Sequence, residues 1–381
     1  DVLKELTSTL SQLQKTTILK KLFAYSEEIS DILARASFLA QIAPSLYEPF
    51  RADALKEALF IIEQVQDENL RVKALIEVLP NLSEPQKSET MNETFDIIRS
   101  IKDERVRARL IVKVASGPKN DANDVLDLIG RIEDEGLKDW ALAETVPRLE
   151  PWNALTISRQ IKRGHLRARA LAETASKLPA DEMSDTLNEA LSVARSVENG
   201  YSKARLLAAV ATKIPKAEDA LSVAEEIGDD NMREKALGEI LPKLSDPQKA
   251  LLLAMQIKDE ESKDRALAGI SSEIAQPDVA LSICGQIKSR YIKGRNLAEI
   301  ASKLPEPKKT DAFKNALTTI SNIEDDDLRT VGLVEIAPLL QELAAPKLHS
   351  IWSDMLHASS RKSRSSLLSD VGALAPVIFS L

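Results

Sequence analysis

The sequence predicts an all-α chain, a right-handed superhelix of stacked αα-hairpins (a solenoid), and three observations carry that expectation. One phrase recurs along the 381 residues, and its apolar positions have helical spacing. Apolar residues are plentiful but mostly Leu, Ala and Ile, whereas aromatics (4%) and Gly (12 residues) are scarce, a mixture suited to closely packed helices. Sustained Val/Thr/Tyr alternation, the usual strand signal, is missing. A chain of this length is too long for one compact core, so a repeat array or several domains is required.

The phrase is I-x-D-x-x-x-R-x-x-A-L-x-x-I-A-x-x-L. It reads Ile101, Asp103, Arg107, Leu110, Ile111, Val114, Ala115 in one copy, and Ile227, Asp229, Arg233, Ala236, Leu237, Ile240, Leu241, Leu244 in another. A third copy reads Ile323, Asp325, Arg329, Leu333, Ile336, Ala337, Leu340. The basic residue serves as an anchor and falls at Arg35, Arg71, Arg107, Lys138, Arg167, Lys203, Arg233, Lys263, Lys293, Arg329 and Arg364. Successive steps are 36, 36, 31, 29, 36, 30, 30, 30, 36 and 35 residues, so two periods coexist.

Each repeat resolves into two helices. The second starts at the Asp, a good N-cap, buries anchor +3, +4, +7, +8 and +11, and is closed by Pro, as at Pro80, Pro179, Pro215, Pro242 and Pro305. The first is shorter and carries A-L-x-x-A-x-x-I, as in Ala220, Leu221, Ala224, Ile227 and in Ala280, Leu281, Cys284, Ile287. The long repeats extend this first helix by about six residues, as over Asp181 to Ala190, more than one extra turn. A lone hairpin cannot bury its apolar stripe, so neighbours must stack, giving about 22 helices in one array over residues 1–381. The array is expected to run past both ends. Val2, Leu3, Leu6 and Leu10 fit a second helix whose anchor would precede Asp1, and Val377, Ile378, Phe379 and Leu381 trail off apolar rather than forming a polar cap. Asp1 in place of Met points to a cut or processed N-terminus.

Charge and composition narrow the function classes. The net charge of −8 argues against non-specific nucleic-acid binding. The single Cys284 cannot form an internal disulfide, which fits a reducing, cytoplasmic setting. No apolar run reaches membrane-span length, and no signal-peptide pattern is present.

A search for chemistry finds neither a phosphate-binding loop nor a dinucleotide Gly cluster, paired Cys motif or H-E-x-x-H. The three His are His165, His349 and His357; His357 follows Asp354 by three, a surface pair rather than a metal site. Cys284 occupies the slot of Ala194, Ala224 and Ala254 and reads as buried packing. Trp352 stands where other repeats carry Leu and reads as core. No cofactor and no catalytic residue are expected. Recurrent charges, Asp103–Arg107, Asp229–Arg233 and Asp325–Arg329, then Arg169–Glu173, Lys235–Glu239 and Arg295–Glu299, read as i,i+4 pairs on solvated faces.

Departures from the repeat are more informative. The turn before the second helix holds Arg163-Gly164-His165, Asn199-Gly200-Tyr201 and Ser289-Arg290-Tyr291 where other copies carry Asp. Two residues past the anchor runs a basic column, Lys73, Arg109, Arg169, Arg205, Lys235, Arg265 and Arg295, interrupted by Trp140, open to cation–π stacking or to partner contact. Candidate binding residues are therefore Arg163, His165, Arg167, Arg169, Tyr201, Arg205, Arg290, Tyr291, Arg109 and Trp140, with repeats four and five foremost and Arg167 left short of a carboxylate.

The hairpin array resembles tetratricopeptide-like and HEAT-like α-solenoids, although the tetratricopeptide pattern of Trp, Gly, Tyr and Pro is absent. The phrase with its Leu-Pro ending resembles degenerate helical repeats of archaeal and cyanobacterial multidomain proteins. The run from Arg364 to Pro376 is similar to the ends of sensor arms on bacterial and archaeal STAND-type signalling ATPases. That resemblance implies a ligand-sensing or partner-binding arm. The expected function is a scaffold or sensor arm for a protein or peptide partner. The alternatives are a nucleic-acid-binding solenoid using the basic column, or an enzyme with an unrecognised site in the groove.

Overall fold

A computed structural model describes residues 21, 25–46, 48, 50–116, 122–341, 343 and 364–378. Among them lie twenty α-helices and no strand, as an α-solenoid requires. The chain divides into two compact units between Thr186 and Leu187.

In the first unit, α1 (Ile32–Ile42) is a second helix, followed by the hairpins α2 (Phe50–Glu63) with α3 (Glu68–Val78) and α4 (Gln86–Ser100) with α5 (Glu104–Ala115). Then come α6 (Ala122–Gly130) with α7 (Glu135–Thr145) and α8 (Pro151–Gln160) with α9 (Gly164–Ala175). The division falls inside α10 (Ala180–Arg195). The second unit continues with α11 (Gly200–Ala211), then α12 (Ala217–Glu225) with α13 (Asp230–Ile240), and α14 (Pro247–Ala254) with α15 (Glu260–Glu273). It ends with α16 (Pro277–Gly285) and α17 (Arg290–Ser302), α18 (Lys308–Ser321) and α19 (Asp326–Leu340), and α20 (Arg364–Ile378). Within each unit every second helix packs on the second helix of the next repeat, so contact passes in single file.

The two periods are two lengths of first helix. Where the anchor step is 36, the first helix has 14, 15, 16 and 14 residues (α2, α4, α10, α18). Where the step is 29–31 it has 8–10 (α6, α8, α12, α14, α16).

The N-cap expectation holds closely. Asp31, Asp67, Asp103, Asp134, Asn199, Asp229, Asp259, Ser289 and Asp325 each accept a backbone N–H from the first turn of their helix, while Arg163 makes no side-chain cap. Pro44, Pro80, Pro147 and Pro242, at anchor +9, turn the helix end into a 3-10 turn, because proline supplies no N–H to continue the ladder. Pro338, in the same slot, lies inside α19.

The expected Asp–Arg pairs at i,i+4 do not form. Asp103, Asp229 and Asp325 are occupied as caps, and Arg107, Arg233 and Arg329 pair instead with Glu104, Asp230 and Asp326. These anchors also tie down the first helix: Arg107, Arg233 and Arg329 each donate to the isoleucine carbonyl six residues back, Ile101, Ile227 and Ile323, at 3.1 Å. Lys138 and Lys293 reach the glycine carbonyl that ends the first helix, Gly130 at 3.0 Å and Gly285 at 2.8 Å.

A second device links neighbouring repeats. Asp139 and Asp264, each 2% exposed, accept backbone N–H groups from the next repeat's turn: Lys162 (3.1 Å) and Arg163 (2.7 Å), and Lys288 (3.0 Å) and Ser289 (2.7 Å). Glu234 does the same for Asp259 at 2.7 Å. All three acids stand one past the anchor and precede a step of 29 or 30; Ala36, Val72, Ala168 and Gly294 hold that slot before a step of 36. In these three repeats the short first helix brings the turn onto the preceding second helix, where its N–H groups need an acceptor; Ala108 and Ala204 hold the slot before the other short steps, and in the first of those Glu104 accepts from Glu133 and Asp134 instead.

Candidate functional site

The second helices carry the candidate residues in rows set by their offset from the anchor. In the first unit, Arg109 is exposed and has no ion-pair partner among the described residues. Trp140 is half-buried against the core cluster that holds Ile129 and Leu142, and among the described residues no cation–π contact joins it to Arg109 or Arg169. Arg169 does not pair with Glu173 along its own helix; it crosses to Glu144 of the preceding repeat at 2.5 Å. The Arg163 guanidinium lies over Gly136, where a Cβ would come within 1.8 Å of it, so that glycine makes room for this arginine. The Arg163 main chain is held by Asp139 at 2.7 Å. His165 is exposed, and half-buried Arg167 has no ion-pair partner among the described residues.

In the second unit, Tyr201 is 60% exposed and Arg205 is exposed without an ion-pair partner among the described residues. Arg290 donates to the Asn322 carbonyl at 2.7 Å, closing the end of α18. Tyr291 and Arg295 form one cluster with Glu335. The Tyr291 hydroxyl donates to Glu335 at 2.8 Å, Arg295 Nε pairs with the same carboxylate at 2.7 Å, and the Arg295 guanidinium lies 5.5 Å from the centre of the Tyr291 ring. Arg295 therefore does not pair with Glu299, and its cation–π contact is with Tyr291, not with the Trp140 of the column. Burial and the bond to Glu335 hold the Tyr291 phenol above its ordinary range. Arg265 pairs with Glu261 one turn back, whereas Lys235 and Glu239 form no ion pair with each other.

Glu261, Arg265, Tyr291, Arg295 and Glu335 wall a groove of about 1500 Å³ in the second unit, whereas the candidates Tyr201, Arg205 and Arg290 are not part of its lining. Its floor and sides come from the 3-10 turn after α13, then α15, α17 and α19, with Ala268, Gly269, Ile292, Leu328 and Leu339 between the charged side chains. Gly269 permits its shape, since a Cβ there would meet the Pro242 ring at 2.5 Å. Asn296 lies in the lining but is 3% exposed and fully engaged: Nδ2 donates to the Ala268 carbonyl and Ser272 Oγ, both at 2.9 Å, and Oδ1 accepts from Ser271 at 2.7 Å. The polar rim is thus pre-organised by contacts between repeats.

Cys284 is fully buried, and burial pushes its thiol up to about 12, as befits a packing residue. Among the described residues no three His, Cys, Asp or Glu side chains gather as a metal site, and no helix is long and apolar enough to cross a membrane. His349, Trp352, Asp354 and His357, the N-terminal leucines and the final apolar residues from Phe379 lie outside the described residues.

The groove, and the carboxylates that brace successive turns, were not apparent from the repeat phrase. The acid at anchor +1 before a short step is the signal that would have found the braces.

No family model and no curated protein matches the chain. Two solved structures are similar along nearly its whole length. One is an engineered protein, 18% identical, covering 95% of this chain and 98% of its own, with a TM-score of 0.29. The other is a circular tandem repeat protein with novel repeat topology and enhanced subunit contact surfaces, 13% identical, covering 96% of this chain and 87% of its own, with a TM-score of 0.18. Superpositions this loose carry nothing about function, and the helical-repeat assignment rests on the helices, caps and anchors themselves.

Proposed function

We propose that this chain is a non-catalytic scaffold that captures a peptide segment of a partner protein in the groove of its second unit. One observation carries the reading. The groove of about 1500 Å³ gathers Arg265, Tyr291 and Arg295 around an apolar floor, the combination of aromatic, arginine and apolar surface found at protein interfaces. The sensor arm implied by the run from Arg364 to Pro376 is the same reading within a larger protein. Nucleic-acid binding is less favoured, because Arg169, Arg265 and Arg295 are each neutralised by a carboxylate that would also repel phosphate. The test is selection of binders from a displayed peptide library by the full chain, followed by hydrogen exchange of the complex. Added protection on α15, α17 and α19 is expected. Peptides that protect only other helices, or a library that yields no binder, would refute the proposal.

A further inference from the structure

We infer that the occupant of this groove is a partner segment presenting Lys or Arg side chains beside apolar ones. The inference rests on the peptide-binding reading above and adds the charge of the ligand to it.

Three cations and four carboxylates line the groove. Two of the cations are paired with carboxylates, Arg265 with Glu261 and Arg295 with Glu335 at 2.7 Å, while Lys243 donates to the Thr212 carbonyl at 3.4 Å. Two carboxylates are left over. Glu273 is exposed and has no ion-pair partner among the described residues. Glu299 has only Lys303, 4.0 Å away, and that ammonium donates to the Ser272 carbonyl at 2.8 Å. Lys243 keeps its charge, since a neutral carbonyl does not cancel it; three cations against four carboxylates leave the lining with one net negative charge, and a cation is the complementary ligand.

The position of Glu273 strengthens the case. It stands ten past its anchor, where Lys177, Lys213, Lys243 and Lys303 stand in sibling repeats. Lys177, Lys243 and Lys303 each donate to the carbonyl nine past the anchor in the preceding repeat, those of Pro147, Thr212 and Ser272. In the repeat of Glu273 that tie between neighbours is replaced by a charge of opposite sign, on the wall of the groove. Leu328, 43% exposed, and Ile292 supply apolar surface for the residues between the partner's cations.

The experiment is fluorescence anisotropy on the full chain with three labelled synthetic peptides: Leu-Gly-Lys repeats, Leu-Gly-Glu repeats and Leu-Gly-Ser repeats, each at low and high salt. The lysine peptide should bind at least tenfold more tightly than the glutamate peptide and weaken as salt rises. Glu273→Lys should weaken it at least tenfold while leaving thermal unfolding unchanged or improved, since siblings carry that lysine. Glu198→Lys, an exposed site outside the groove lining, controls for net charge. If the glutamate or serine peptide binds best, and groove residues are protected, the charge inference falls and the peptide-binding reading stands. If Glu198→Lys weakens binding as much as Glu273→Lys, the charge inference falls as well. If no peptide binds, both fall.

Discussion

Removal of Asp370 tests how the last described repeat is held. Arg329 on α19 and Asp370 on α20 are both wholly buried. Arg329 Nε donates to Asp370 at 3.0 Å (Oδ1) and 3.3 Å (Oδ2), Nη1 donates to the Ile323 carbonyl at 3.1 Å, and Nη2 lies 2.7 Å from Asp326, whose side chain is half exposed. Burial alone would ease the Arg329 proton off; the bonds to Asp326 and Asp370 outweigh it and hold the guanidinium above its ordinary range, charged throughout. Asp370→Ala leaves that charge in a dry interior with one carbonyl and one outward-facing carboxylate. Breaking such a pair from one side costs about 3–5 kcal/mol. Asp370→Asn keeps an acceptor but loses its charge, so about 1.5–3 kcal/mol is expected, the usual worth of a hydrogen bond to a charged group. Joint replacement, Arg329→Leu with Asp370→Leu, removes both desolvation penalties and should recover most of the loss. Because contact passes in single file, the damage should centre on α19 and α20 rather than spread evenly. Urea unfolding by circular dichroism measures the total, and amide exchange on α19 and α20 locates it. An Asp370→Ala cost below about 1 kcal/mol, or a joint variant as unstable as the two single changes added, would refute the reasoning.

Three further outcomes are expected. Cys284→Ala should change stability by less than about 1 kcal/mol, and the native thiol should resist labelling at neutral pH, because the side chain is fully buried and its thiol is pushed up to about 12; rapid labelling would contradict burial. Gly294→Ala should cost about 1–3 kcal/mol by thermal unfolding, because its Cβ would meet Ile320 at 2.4 Å and the Ala316 carbonyl at 3.3 Å, whereas Gly130→Ala and Gly285→Ala meet nothing within 4 Å and should be neutral or stabilising; equal effects would sink the packing account. Stability should be lost as pH falls below about 4.5, because backbone or side-chain hydrogen bonds hold Glu104, Glu218, Glu226 and Asp259 below their ordinary values; a depressed folded value means stability present above the unfolded value and lost as pH drops through the folded one, so unchanged melting between pH 6 and 3 would contradict the sign.

Position along the helices was legible in the amino-acid sequence because it depends on local periodicity. An apolar residue at anchor +3, +4, +7 or +8 has no other face to occupy, and an Asp four before the anchor has unpaired N–H groups waiting for it. The alternation of long and short first helices followed from counting, and the buried Cys284 from the alanines in its slot. Pairing was another matter. Arg169 and Arg295 each have a glutamate one turn along their own helix, and both choose a glutamate in a neighbouring repeat, Glu144 and Glu335. Arg163 reads as a lost cap, and only the structure shows its guanidinium lying over Gly136. Long flexible side chains reach several acceptors, and the choice is made by which repeat the stacking brings within about 3 Å. For the same reason the groove between α15, α17 and α19, and the sign of its residual charge, belong to the tertiary structure: they are differences between neighbours, and a repeat phrase records only what neighbours share.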